Sequence, residues 1–156
     1  MGIKYVSGYN LIPEAVREFQ ERVENATVYY FSYMGEKLAK YAKEMHSYTD
    51  RTGNLTNSIG YAVVKGGKII NTGGMMGSSE AKAASLQVLQ EMMDRINHQF
   101  ALIIIAGMEY ASYVEAKGYN VIMPAELKAK AEMPSVIQRI KLEASMKAKE
   151  QFGISL

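Results

Sequence analysis

The chain has 156 residues, 48% of them hydrophobic and 22% charged, the balance of an ordinary globular domain and not of a disordered one. Its 18 Lys and Arg against 16 Asp and Glu leave a formal net charge of +2, with both signs spread along the chain, which argues against a specific nucleic-acid binder. With no Cys, disulfides, thiolate metal sites and a Cys nucleophile are excluded.

A chain of this length removes roughly 70% of its unfolded surface on folding, enough for one real core. No linker, repeat or low-complexity tract divides it, so a single domain over 1–156 is expected. The N-terminal Met1-Gly2-Ile3-Lys4-Tyr5-Val6 lacks the apolar stretch of a signal peptide, and Val6 stands where a myristoylation signal requires Ser or Thr. Without secretion, the glycosylation triplets at Asn25 and Asn54 read as chance.

Pro13 and Glu14 suit a helix start, and apolar or aromatic residues follow at Phe19, Val23, Ala26, Tyr30, Met34, Leu38, Tyr41 and Met45. These steps of three and four predict one helix from about Pro13 to Met45, interrupted only by Gly35. The segment from Tyr48 to Asn54 then reads as a structured loop, since its Thr and Asp side chains compete for backbone bonds and Gly53-Asn54 can take positive φ. Ile59 to Val64 and Lys68 to Asn71 are β-prone runs joined by Gly66-Gly67, the pattern of a tight hairpin.

A Gly-rich loop, Thr72 to Gly77, precedes a helix with Ser78 or Ser79 as N-cap, Glu80 in the first turn, and a stripe of Leu86, Leu89, Met93 and Ile96. Phe100 to Ala106, apolar throughout, predicts a fully buried strand and is far short of the roughly 20 residues a membrane helix needs. Asn120 to Met123 reads as a short strand ended by Pro124. A last helix is expected to open at Pro134-Ser135, with Ile137, Ile140 and Ala144 inward and Gly153 as C-cap.

Candidate chemistry is thin. The loop Gly73 to Ser79 could cradle a phosphate with its amides, but it lacks the Gly-Lys-Ser/Thr ending of a Walker loop. Ser79-Glu80-Ala81-Lys82 matches the S-x-x-K pattern of some serine hydrolases without the accompanying S-D-N and K-T-G elements. The enzyme alternative is therefore a hydrolase or phosphate-binding enzyme using this loop. Lys and Arg on the last helix offer a second alternative, a weak nucleic-acid contact.

His46 and His98 lie alone, each near an expected helix C-terminus, and Asp50, Glu109 and Glu115 are carboxylates with no spacing that makes them a pair. No catalytic residue, cofactor or metal is expected. Eleven Tyr and eleven Met with no Trp suit protein contact surfaces. Tyr29 and Tyr33 fall on one face of the first helix, off the line of Ala26, Tyr30 and Met34, and are the candidate interface.

At Asp50-Arg51-Thr52-Gly53-Asn54-Leu55-Thr56-Asn57-Ser58-Ile59, after a long helix, the sequence resembles the head-tail joining proteins of tailed bacteriophages, also called neck or tail-completion proteins. That family has a Thr-Gly-x-Leu-x-x-Ser-Ile segment leading into a strand. Ala106-Gly107-Met108-Glu109-Tyr110-Ala111-Ser112-Tyr113-Val114-Glu115 resembles its later strand followed by Tyr-Ala-x-Tyr-Val-Glu, with Gly118 soon after. The family usually continues Glu-x-Gly-Thr where this chain has Glu115-Ala116-Lys117-Gly118, and Gly73 to Gln99 looks like an insertion.

The resemblance implies a virion structural protein that assembles in the bacterial host cytoplasm. It also implies partners among the other head-tail junction or tail proteins, and a ring-forming homo-oligomer, with no membrane and no specific nucleic acid as partner. The residues themselves read as scaffolding. Asp50 or Thr52 closes a turn, Gly53 takes the conformation others resist, and Leu55 and Ile59 anchor the segment on the core, with Ser58 carried as a residue of the motif. Tyr110, Val114 and Tyr113 are expected to pack while Glu115 stays polar. Together these readings predict an α+β domain, a long N-terminal helix packed on a small, mainly antiparallel sheet with further helices covering it.

Overall fold

The computed structural model describes residues 8–96 and 99–153. The chain runs α1 (Gly8–Glu44), α2 (Asn54–Ser58), β1 (Ile59–Lys65), β2 (Lys68–Gly73), α3 (Ser79–Met93), β3 (Phe100–Ala106), α4 (Ala111–Ala116) and α5 (Met123–Phe152). The fold is α+β: a long N-terminal helix packed on a three-stranded antiparallel sheet, with a long C-terminal helix packed along the first.

At about 1.5 Å per residue α1 is roughly 55 Å long, and it opens before Pro13. Met34 and Leu38 of its expected stripe are buried, joined by Ala15, Thr27, Ala39 and Ala42. Met45 lies past the helix end and is 45% exposed, so the inward stripe stops one turn early. Gly35 marks a close contact, because a Cβ there would sit 2.2 Å from the Tyr61 ring. Only a bare backbone lets α1 settle onto β1 at that point.

The sheet order is β2-β1-β3. The hairpin turn is the one expected, with Gly66 at φ 54° and Gly67 at φ 76°, the doubly positive pair whose twist matches the strands. Burial within the sheet departs from expectation. β1, from Ile59 to Val64, is buried on both faces, whereas Phe100, Ala101, Leu102, Ile104 and Ala106 of β3 stay partly exposed. The apolar run Phe100 to Ala106 is thus an edge strand and not a fully buried one. Composition reports that a strand can be buried on two faces; sheet order decides which one is.

Two apolar clusters flank the sheet. Met34, Leu38, Leu55, Ile59, Tyr61, Val63, Val121 and Ala125 gather on the side of α1 and α5, with Leu102 and Ile104 against them. On the other side Ala62, Val64, Ile103 and Ile105 meet Leu89 of α3. The inward line of α3 is Ala81, Ser85 and Leu89, and Leu86, expected inside, is 46% exposed. Ser78 is the N-cap, its hydroxyl oxygen accepting from the Ala81 amide at 3.2 Å.

The last helix also starts earlier than expected. Asn120 to Met123 forms no strand; α5 opens at Met123 with Pro124 in its first turn, where the missing N–H costs nothing. Pro134 lies inside the helix on the exposed side, so the carbonyl it leaves unbonded can be hydrated. Ile140, Ala144 and Ala148 face inward, while Ile137 is 41% exposed. Gly153 ends the helix at φ 63°, its amide donating to the Lys149 carbonyl, as expected of a C-cap. No helix among the described residues is long and apolar enough to cross a membrane.

Candidate functional site

The two segments that carry the resemblance meet in space. In the first, Asp50 Oδ2 accepts from the Thr56 amide at 2.7 Å and Thr52 Oγ1 accepts from the Asn54 amide at 3.2 Å. Gly53 sits at φ 74°, and its carbonyl receives the Asn57 amide. These bonds wind the short helix α2 between the Gly53 turn and β1. Leu55, 2% exposed, is pinned beside Tyr48, whose hydroxyl lies 3.1 Å from Thr56 Oγ1. Burial disfavours the phenolate of Tyr48 and raises its pKa above the ordinary value.

Ser58 and Ile59 join this segment to the second. Ile59 pairs with Ala106, and the fully buried Ser58 hydroxyl donates to the Leu55 carbonyl at 2.8 Å while accepting from the Gly107 amide at 3.1 Å. Ser85 of α3, also fully buried, points its hydroxyl at the Ser58 carbonyl at 2.7 Å, with its own helix's Ala81 carbonyl at 2.9 Å. A Cβ on Gly107 would lie 2.3 Å from the Ser85 amide nitrogen, so strand and helix touch backbone to backbone. Three remote stretches are thereby locked through two serines and one glycine.

Beyond Gly107, Val114 packs on the core as expected, but Tyr110 and Tyr113, expected to pack as well, are 42% and 64% exposed, and Ala111 is buried in their place. On a helix as short as α4 only one face can reach the core, and Ala111 with Val114 take it. Glu115 accepts three backbone amides, from Val121 at 3.0 Å, Ile122 at 2.8 Å and Met123 at 3.2 Å. A carboxylate there satisfies the free amides at the start of α5 and suits its positive end. Gly118, at φ 85°, turns the chain back so that Glu115 reaches those amides. Asp50 and Glu115 are thus fasteners, and Glu109 is exposed.

Tyr29 and Tyr33 lie elsewhere, 66% and 60% exposed on α1. They flank the seam where α1 meets α5, which run antiparallel: Tyr30 donates to Glu143 Oε2 at 2.8 Å and Lys37 to Glu132 Oε2 at 2.6 Å. The Lys37 bond, helped by Lys128, holds the Glu132 carboxyl below the usual carboxylate range. The Glu143 hydrogen bond raises the Tyr30 phenol. The Tyr29 ring stands edge-on to Tyr30 with centroids 5.2 Å apart.

The Gly-rich loop is held by α1 and α2: Lys43 Nζ donates to the Gly74 carbonyl, and the Met76 amide to Asn57 at 2.9 Å. Burial lowers the Lys43 pKa. Ser79 is exposed in the first turn of α3, and its neighbour Ser78 bonds Asn54 Oδ1 at 2.9 Å. His46 follows the end of α1, its Nδ1 3.1 Å from the Tyr48 carbonyl oxygen, while His98 lies outside the described residues. Among the described residues no three His, Asp or Glu side chains converge as metal ligands. Sequence reading overlooked Ser85 and Gly107 as junction residues. The only trace of Ser85 was its place between Ala81 and Leu89 at steps of four.

No family model matches the chain, and no curated protein and no solved structure is significantly similar to it.

Proposed function

We propose that this chain is a structural virion protein of a tailed phage or prophage, assembling at the head-tail junction as a ring and acting by contact and not by catalysis. The observation that carries the reading is the convergence of its two neck-like segments: Ile59 pairs with Ala106, and Ser58 holds the Gly107 amide. Segments that resemble one family in order, and that fasten one junction in space, are what a shared scaffold requires. Of the polar groups open to an enzymatic reading, Asp50 and Glu115 are engaged in holding backbone, while Ser79 and Glu109 are exposed on separate elements.

A head-to-tail ring uses two different surfaces per subunit, so a defect in one stops closure while each domain stays folded. The exposed Tyr29 and Tyr33 are the residues assigned to one of those surfaces. Tyr29→Asp with Tyr33→Asp should lower the oligomer mass in light scattering yet preserve circular dichroism and melting. Leu38→Asp, which buries an unpaired charge, should unfold the chain. A parent protein that stays monomeric at high concentration, or its absence from purified virions by mass spectrometry, would refute the reading.

A further inference from the structure

The sheet has two edges, and they are built differently. β2 carries Lys68, a register shift against β1 at Val63/Val64, and Gly73, all features that discourage another strand from adding on. β3 has none of them. Its seven residues, Phe100 to Ala106, are all apolar, and they pair with β1 from Ile59 to Lys65 without a register break. No strand lies on its other side among the described residues. An uncharged edge of this length, without a register break, offers its outward amides and carbonyls to an extended chain, and native proteins commonly charge, kink or cover such edges.

Two grooves border this edge at its C-terminal end, and Ala106 lines both. On the side of α4 and α5, a groove of about 480 Å³ is walled by Ala111, Val121, Ile122 and Met123. On the side of α3, a groove of about 470 Å³ is walled by Gln87, Glu91, Gly107, Glu109 and Ser112. Glu91 takes a neutral amide hydrogen from Gln87 at 3.1 Å, and the lining of this groove holds two carboxylates and no cation.

We infer that the β3 edge is a strand-addition site for an extended segment of a partner protein whose side chains alternate between apolar and basic. A strand paired to β3 sends successive side chains to opposite faces of the sheet. Apolar residues then go to the Val121–Met123 side and Lys or Arg to the Glu91 and Glu109 side. The main-chain bonds complete the ladder, and the charges choose the partner and the register. The site is separate from the Tyr29 and Tyr33 face and does not depend on the neck reading.

The test uses the full chain and the probe Thr-Ile-Lys-Val-Lys-Ile-Thr, with Thr-Ile-Glu-Val-Glu-Ile-Thr as its charge-reversed control. The Lys peptide should bind about tenfold or more tighter at low salt, and Glu91→Lys with Glu109→Lys should reverse the preference. Both substituted residues are exposed, so the fold should survive. N-methylating the Lys peptide at alternate amides should abolish binding in one of the two registers and leave it in the other. Amides of β3 should gain protection from exchange on binding. Equal tolerance of both methylated registers, or no binding of the Lys peptide at millimolar concentration, would overturn the proposal. Protection of the β3 edge by a second copy of the chain alone would overturn it as well.

Discussion

The junction around Ser58 and the outer face of α1 around Tyr29 contrast in how their polar atoms are used. At the junction the hydroxyls of Ser58 and Ser85 and the carboxylate of Glu115 are each spent on backbone groups that would otherwise be orphaned. On α1 the two tyrosines are mostly exposed, and the Lys37–Glu132 pair nearby is partly open to solvent. The lesson is a division of labour. Ser58, Ser85 and Gly107 hold the chain together internally, whereas Tyr29 and Tyr33 are left open to contact.

Substitutions should separate the two regions, and the largest effect belongs to the junction. Gly107→Ala places a methyl against the Ser85 backbone, which cannot yield as a side chain would, so it should cost about 3 kcal/mol or more in denaturant melts. Glu115→Ala leaves three amides at the start of α5 without their carboxylate; about 2 kcal/mol is expected, with Glu115→Gln recovering part of it. Ser58→Ala orphans the buried Gly107 amide at a cost of about 1–3 kcal/mol, and a loss under 0.5 kcal/mol would show that the junction is not fastened through this hydroxyl.

By contrast, Tyr29→Ala and Tyr33→Ala should each move monomer stability by no more than about 0.5 kcal/mol. The smallest effect is one of slope. Because the Tyr48 phenol is raised in the folded state, the folded chain keeps a proton that the unfolded chain releases above the ordinary tyrosine pKa of 10.0. Stability therefore falls as pH rises past that point. Tyr48→Phe should flatten that alkaline decline, measured by melts from pH 9 upward, while losing the Thr56 contact at neutral pH.

Much of the fold was legible because its signals are local. The hairpin at Gly66-Gly67, the caps at Ser78 and Gly153, and the α1 stripe through Met34 and Leu38 each follow from residues a few positions apart. The misreadings are those that need the partner. That β1 and not β3 is the buried strand depends on sheet order, and Pro134 looked like a helix start because the capping of Met123 by Glu115 cannot be seen in spacing. At the candidate site, Asp50 and Gly53 act within their own loop and were readable. Ser58 and Gly107 are linked across 49 residues, and only the folded chain shows that link.

The α1–α5 seam has a temporal side as well. Its bonds join residues 113 and 95 positions apart, Tyr30 to Glu143 and Lys37 to Glu132. Contacts of such long span carry the largest loop-closure cost in the chain, which places their expected formation after that of the local hairpin. During synthesis the face of α1 that carries Tyr30 and Lys37 forms early and then waits for α5 to emerge. In pulse-labelled refolding the hairpin amides should be protected before those of α5, and simultaneous protection would contradict this order. Until α5 docks, the face of α1 that carries Tyr30 and Lys37 stays open to other chains, and α5 is the element that closes it.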